Sequence, residues 1–516
     1  MERQRLFILL GFVFLLIALV TIPFGEAFTA EKPRFGGVLK ISRSAGVRGV
    51  GFPLTTKIGE SYVSWPCVET LLKLDKQGQP VPHLVESWEV DNTGKKMTLH
   101  LKKGVKFHDG TDFNAEAVKY FIDVIEPAAG KNNIKRYIDS SEILDEHTVR
   151  INLPKWDNML VIRMAIHAKI ISPKSFKTHG KKWCQQHPVG TGPFKFVKWD
   201  KDVMIKLERF DGYWGGKPYL DGIEFHIIVD PMTQMTAFLA GEHHIMADVN
   251  PKDAKNLKAK GKFKVTHVPG QYHSIHGDGG NPDSIWANVK VRQAMAHAIN
   301  TPAIAEAVGH GYWAVAPRGQ LAQPRGWNDN PQVKGYAYDP AKAKRLLAEA
   351  GYPNGFKTTI LCLNKPQHIV DSVTAIQGQL RKVGIDAHLD LMDRGRDFKV
   401  TIGGGWKDGL HHVAMTWRHE IDLMESIYRP GSIFTKSIAR PKEYAGILGK
   451  ALQETDFKKM KKLVFAMQKL DVDKYAMNNW LYLVNYIAVK SPKVHGDKFF
   501  EECNINWDPG KAWLSK

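Results

Sequence analysis

Between Lys96 and Leu101 the apolar residues Met97, Leu99 and Leu101 fall two apart, the period of a strand with one buried face. A Trp-bearing strand precedes it across an Asn92-Thr93-Gly94 turn. A Phe107-His108-Asp109-Gly110 turn follows, and then a helix opened by Asn114 as N-cap. GGVLKIS, from Gly36 to Ser42, reads as an early strand. Between Pro188 and Ile228 three more are expected: one from Phe194, Phe196 and Val197, one over Val203 to Leu207, and one over Ile223 to Ile228. Asp211-Gly212 and Gly215-Gly216 form the turns between them. The spacing then switches to that of helices. Met232 to Gly241 is one, Val291, Met295 and Ala298 share a face of the next, and Asp339 caps a third that starts at Pro340 and stops at Gly351 and Pro353. The mixture is α/β, with no internal repeat and no low-complexity linker.

The N-terminus follows a different pattern. Arg3 and Arg5 precede an unbroken apolar run from Leu6 to Val20, which Pro23 and Gly25 interrupt before the small residues at Ala27 and Ala30. That order is a secretory signal peptide over residues 1–30, cleaved after Ala27 or Ala30. The alternative is an uncleaved anchor on the outer face of the inner membrane. The chain of 516 residues is too long for one core, so two or more lobes are expected.

A net charge of +19 raises nucleic acid, anionic membranes and acidic ligands as partners. The lysines are scattered, however. The cluster Lys252, Lys255, Lys258, Lys260, Lys262 and Lys264 reads as a solvated helix face and its following loop, so no nucleic-acid partner is expected. Cys67, Cys184, Cys362 and Cys503 form no C-x-x-C pair; one or two disulfides and buried thiols are both open. The 21 histidines include His243-His244 and His411-His412, and neighbours on a strand face opposite ways, so neither pair is a natural chelate. No metal and no cofactor is expected.

The run LVESWEVDNTGKKMTLHLKKGVKFHDGTDFNAEAVKYFIDVI resembles the signature of the family 5 (dipeptide, oligopeptide, nickel) extracellular solute-binding proteins of ABC transporters. PVGTGPFKF, YWGGKPYLDGI, VKVRQAMAHAI and YDPAKAKRLLAEAGYP follow in the family's order. The resemblance implies a bilobed periplasmic-binding-protein-like clamshell with an extra subdomain in lobe I. Lobe I would comprise residues 31–56, 188–269 and 491–516, the extra subdomain 57–187, and lobe II 270–490. It implies a periplasmic, monomeric carrier of a small organic solute or short peptide that delivers to ABC permease subunits and is not an enzyme.

The family's pocket positions fall here on Arg43, Tyr272, His276, Trp406, Trp417, Arg418, Glu420, Asp422 and Tyr486. The run Met415 to Asp422 lacks the Asp-Tyr-Pro-Asp-Pro-like context that meets a peptide's ammonium group, although Glu420 or Asp422 could supply the carboxylate. Arg43 and Arg418 could meet an anionic group instead. Two alternatives stand beside this reading: a secreted hydrolase acting on a small substrate, and a nickel- or haem-complex carrier of the same fold. No H-E-x-x-H, G-x-S-x-G or P-loop in a supporting context favours the hydrolase. Glu420 and Asp422, read as two apart on a strand, give no assured acid pair.

Overall fold

The computed structural model describes residues 31–52, 62–76, 78–125, 127, 134–416, 419–501 and 507–516. The signal-peptide segment, Trp417, Arg418 and Cys503 lie outside the described residues. Where the sequence carries capping chemistry, the elements start as expected. Asn114 Oδ1 accepts from the Ala117 N–H at 3.0 Å, and Asp339 Oδ1 accepts from the Lys342 N–H at 2.8 Å. The helix after Asn114 runs Ala115–Tyr120 and then loosens into a π-turn over Phe121–Ile125. Among the described residues, no helix is long and apolar enough to cross a membrane.

The protein is a bilobed α/β clamshell built on one eleven-stranded sheet. One half carries Val38–Arg43 between Gly222–Ile227 and Ile245–Ala247, with Met204–Arg209 and Phe194–Asp200 extending to the edge. The other half carries Leu410–Thr416, Phe356–Leu363 and Ile385–Met392. Two long strands, Lys264–Gly277 and Asn479–Lys490, run antiparallel to each other and join the halves. Their register slips between Pro269 and Gln271 and again between His273 and Ser274. At the first slip only glycine fits: a Cβ on Gly270 would lie 2.6 Å from the Val484 carbonyl oxygen and 2.9 Å from the Tyr486 nitrogen.

A separate four-stranded antiparallel sheet, ordered Val85–Val90, Lys96–Leu101, Thr148–Asn152 and Ser140–Asp145, forms the extra unit. Before it in the chain, the buried Glu69 gathers three donors. That carboxylate accepts from Thr191 Oγ1 at 2.8 Å, Trp214 Nε1 at 2.9 Å and Tyr213 OH at 3.1 Å. Within the four-stranded sheet Met97, Leu99, Val149 and Ile151 are fully buried. Cys67, Cys184 and Cys362 are free, buried thiols, which settles those three positions against disulfides.

The strand reading of Glu420 and Asp422 needs correction. The strand ends at Thr416, and both acids lie in the first turn of a helix, Glu420–Tyr428, capped by His419 Nδ1, which accepts from the Ile421 N–H at 3.3 Å. Two carboxylates near an N-terminus suit the helix dipole, and Ile421, Met424, Ile427 and Tyr428 recur at helical spacing.

Candidate functional site

Arg43 is the last residue of its strand, placed at the carboxyl edge of a parallel pair, where open α/β sheets hold their ligands. Its side chain is 2% exposed and its guanidinium lies 4.9 Å from the centre of the Tyr62 ring. Nε and Nη1 are both buried and without a hydrogen-bond partner among the described residues. Tyr62 OH donates to Asp248 Oδ2 at 3.3 Å, and the Tyr62 ring meets Phe499 and Phe500 edge-on. Burial holds the Tyr62 hydroxyl well above the usual phenol range, and the Arg43 charge works against that rise. Tyr486, half-buried on the second crossing strand opposite Val268, stacks on Phe500 at 6.0 Å. Arg43 and Tyr486 therefore converge with Tyr62 and Asp248 at the level of the crossing.

The second-lobe candidates form another group. Tyr272, fully buried on the first crossing strand, donates through its hydroxyl to Glu420 Oε1 at 2.7 Å, and Trp327 Nε1 donates to Glu420 Oε2 at 3.2 Å. Both oxygens of Glu420 are thereby engaged, which makes this residue an anchor for the helix start. Trp406 is buried, with its backbone bracketed by the Ser437 hydroxyl and its ring 4.9 Å from His411 and 6.1 Å from His276. His276 Nε2 lies 2.9 Å from Ser274 Oγ, and burial lowers this imidazole to about 3.

The structure places Asp422 elsewhere. Its Oδ1 accepts from Arg163 Nη2 at 3.0 Å, and Arg163 also lies 3.7 Å from Glu425 Oε2. Arg136 Nη2 meets Glu425 Oε1 at 3.0 Å, and Arg429 reaches the same oxygen at 3.3 Å. Arg163 belongs to the helix Asn158–Ile166, so this cluster ties that helix to the helix Glu420–Tyr428. Sequence reasoning passed over Arg163, Tyr62, Asp248 and Trp327. Only Arg163 left a signal: a lone arginine inside the apolar run NMLVIRMAI requires a buried partner.

His411 and His412 point to opposite faces, His411 Nε2 to Asp397 Oδ1 at 3.2 Å and His412 Nε2 to His273 Nδ1 at 3.3 Å. Among the described residues no three His, Cys, Asp or Glu side chains converge as a metal site.

The family model described as bacterial extracellular solute-binding proteins, family 5 Middle, matches residues 79–420. The glutathione-binding protein GsiB of Shigella boydii serotype 4 is 32% identical over 420 residues, 78% of this chain and 80% of that protein. GsiB of Pectobacterium atrosepticum is 34% identical over 345 residues, 66% of each chain. The periplasmic binding protein DppA from Helicobacter pylori, solved with the peptide STSA, superposes with a TM-score of 0.76 at 26% identity, covering 94% of this chain and 99% of that one.

Proposed function

The chain belongs to the bacterial extracellular solute-binding proteins of family 5, and from that premise we propose that its cleft captures a peptide or peptide-like solute by an anionic group. The protein is the solute-binding component of an ABC importer: its lobes close on the solute and it hands the cargo to the permease. One observation carries the anionic choice. Arg43 is a buried guanidinium with two nitrogens unpartnered among the described residues, an arrangement that costs several kcal/mol until a counter-charge arrives. A solute carboxylate fits it by charge. Tyr486 and Tyr62 offer ring faces beside it, while Tyr272, His276 and Trp406 shape the second-lobe wall. Trp417 and Arg418 enter the proposal through their place in the sequence, between Thr416 and His419. Glu420 and Asp422 act by holding the adjacent helix.

The named relatives make glutathione, a tripeptide with free carboxylates, the first probe. Binding is expected to raise the melting temperature and shrink the radius of gyration in small-angle scattering. Arg43→Met should weaken it by about 1.5–3 kcal/mol, the worth of a charge-assisted hydrogen bond. If neither glutathione nor a co-purified peptide loses affinity in Arg43→Met, the anionic reading falls. Unchanged scattering at saturation removes the closure step.

Export follows the same proposal. The segment Arg3, Arg5, Leu6 to Val20 and Ala27 is read as a signal peptide. N-terminal sequencing of exported protein should find a start at Phe28 or Glu31. A membrane-held chain starting at Met1 would assign the anchor instead. A monomer without nucleic-acid partners completes the proposal.

A further inference from the structure

Where the extra unit meets the second lobe, a cavity of about 180 Å³ remains open along the seam. Trp88, Trp156, Val161 and Ile162 wall it from one side, and Ile421, Phe457 and Met460 from the other. Phe457, 43% exposed, stands at its mouth.

Of the polar groups bordering it, Asn158 is engaged, whereas Gln79 Nε2 is buried without a hydrogen-bond partner among the described residues. Asn158 Oδ1 accepts from Trp156 Nε1 at 3.0 Å, and its Nδ2 donates to the carbonyls of Ala451 at 2.9 Å and Glu454 at 2.7 Å. The nearby charges, Arg163 and Asp422, each follow a lining residue in sequence and are paired with one another. An anionic ligand would meet the Glu454 carboxylate beside it, whereas an uncharged aromatic ring would meet indole and phenyl faces. A dry cavity of roughly 150 Å³ lined by aliphatic and aromatic side chains is enough to hold benzene.

We propose that this seam cavity is a second binding site, for one uncharged aromatic ring, and that filling it favours the closed arrangement. Its walls come from both sides of the seam, so the site is complete only when they are together. A ligand of the assembled cavity binds the closed form better and shifts the population toward it. The ring can come from a free aromatic compound or from an aromatic residue of the captured solute. The cavity stands on its own geometry, independent of what Arg43 receives.

The test uses the mature full chain and indole as probe, with no peptide or glutathione present. Indole should raise the melting temperature saturably and reduce the radius of gyration. Val161→Phe, which fills the cavity, and Phe457→Ala, which strips its mouth, should each weaken indole at least about 10-fold, with glutathione affinity unchanged in Phe457→Ala. Phe457→Ala alters an exposed position and keeps the test open if Val161→Phe fails to fold.

Short peptides with and without an aromatic residue separate the two sources. Competition between indole and only the aromatic peptide assigns the site to the solute's own ring. Simultaneous binding of indole and either peptide assigns it to a free compound. The proposal is overturned if indole gives no saturable shift, or the same shift in the wild type and Phe457→Ala, whatever the cleft itself binds.

Discussion

Arg163→Met is expected to lower the unfolding free energy by about 3–5 kcal/mol, the usual result of removing one partner of a buried ion pair. Arg163 is 4% exposed and Asp422 1%, and they meet at 3.0 Å with Glu425 alongside. Arg136 and Arg429 still serve Glu425 in the variant. The double variant Arg163→Met/Asp422→Leu should recover most of the loss, because hydrophobic residues often replace a buried ion pair at little net cost. Urea denaturation of wild type, both singles and the double closes the cycle. A single variant within about 0.5 kcal/mol of wild type would mean that the pair is solvated in solution.

Acid should destabilise the protein steeply below pH 6.5. Burial lowers the imidazoles of His276 and His412 to about 3 and those of His108, His368 and His419 to about 4, and it holds His273 well below its ordinary value. His273 Nδ1 and His412 Nε2, 3.3 Å apart, share a contact that suits one proton between two neutral rings. These groups are neutral when folded and protonate near pH 6.5 when unfolded, so the unfolded chain binds more protons as pH falls from 6.5 toward 4. Stability present above pH 6.5 is therefore lost across that window.

Three carboxylates act in the opposite sense. Burial pushes Asp157 up to about 6 and Asp471 up to about 7 and raises Asp508, so all three hold protons in the folded state that they lack when unfolded. Six histidines against three carboxylates leave about three protons, or about 4 kcal/mol per pH unit. Domains hold about 5–15 kcal/mol in total, so unfolding is expected by roughly pH 5. Melting curves at pH 7.5, 6 and 5 decide it, and a flat melting temperature would show that the histidines reach solvent.

The fold was legible where local chemistry decides the outcome. Alternation at Met97, Leu99 and Leu101 and the caps at Asn114 and Asp339 each depend on neighbours within a few residues, and the structure has them in place. The helix at Glu420 was misread because the apolar strand before it seemed to continue. Its cap is a histidine, outside the usual Ser, Thr, Asp and Asn set. Pairings made across the fold left almost no trace. Arg163 and Asp422 are 259 positions apart, and Tyr62 and Asp248 are 186 apart. The sequence could nominate Arg43 as a carboxylate partner, but that two of its nitrogens lack partners among the described residues emerges only once the surroundings are folded around it.

The two crossing strands stay paired from Lys264–Lys490 to Ile275–Asn479, interrupted only at the two register slips. A paired ribbon resists bending in its own plane and shearing, whereas two-stranded ribbons tolerate a wide range of twist. The lobes therefore turn on a torsion spring with no free pivot. The restoring torque grows with the angle of opening, which caps the gape and hence the girth of cargo admitted. Loosening the pairing at Gly270, which packs against Tyr486, would slacken the spring and widen the mouth.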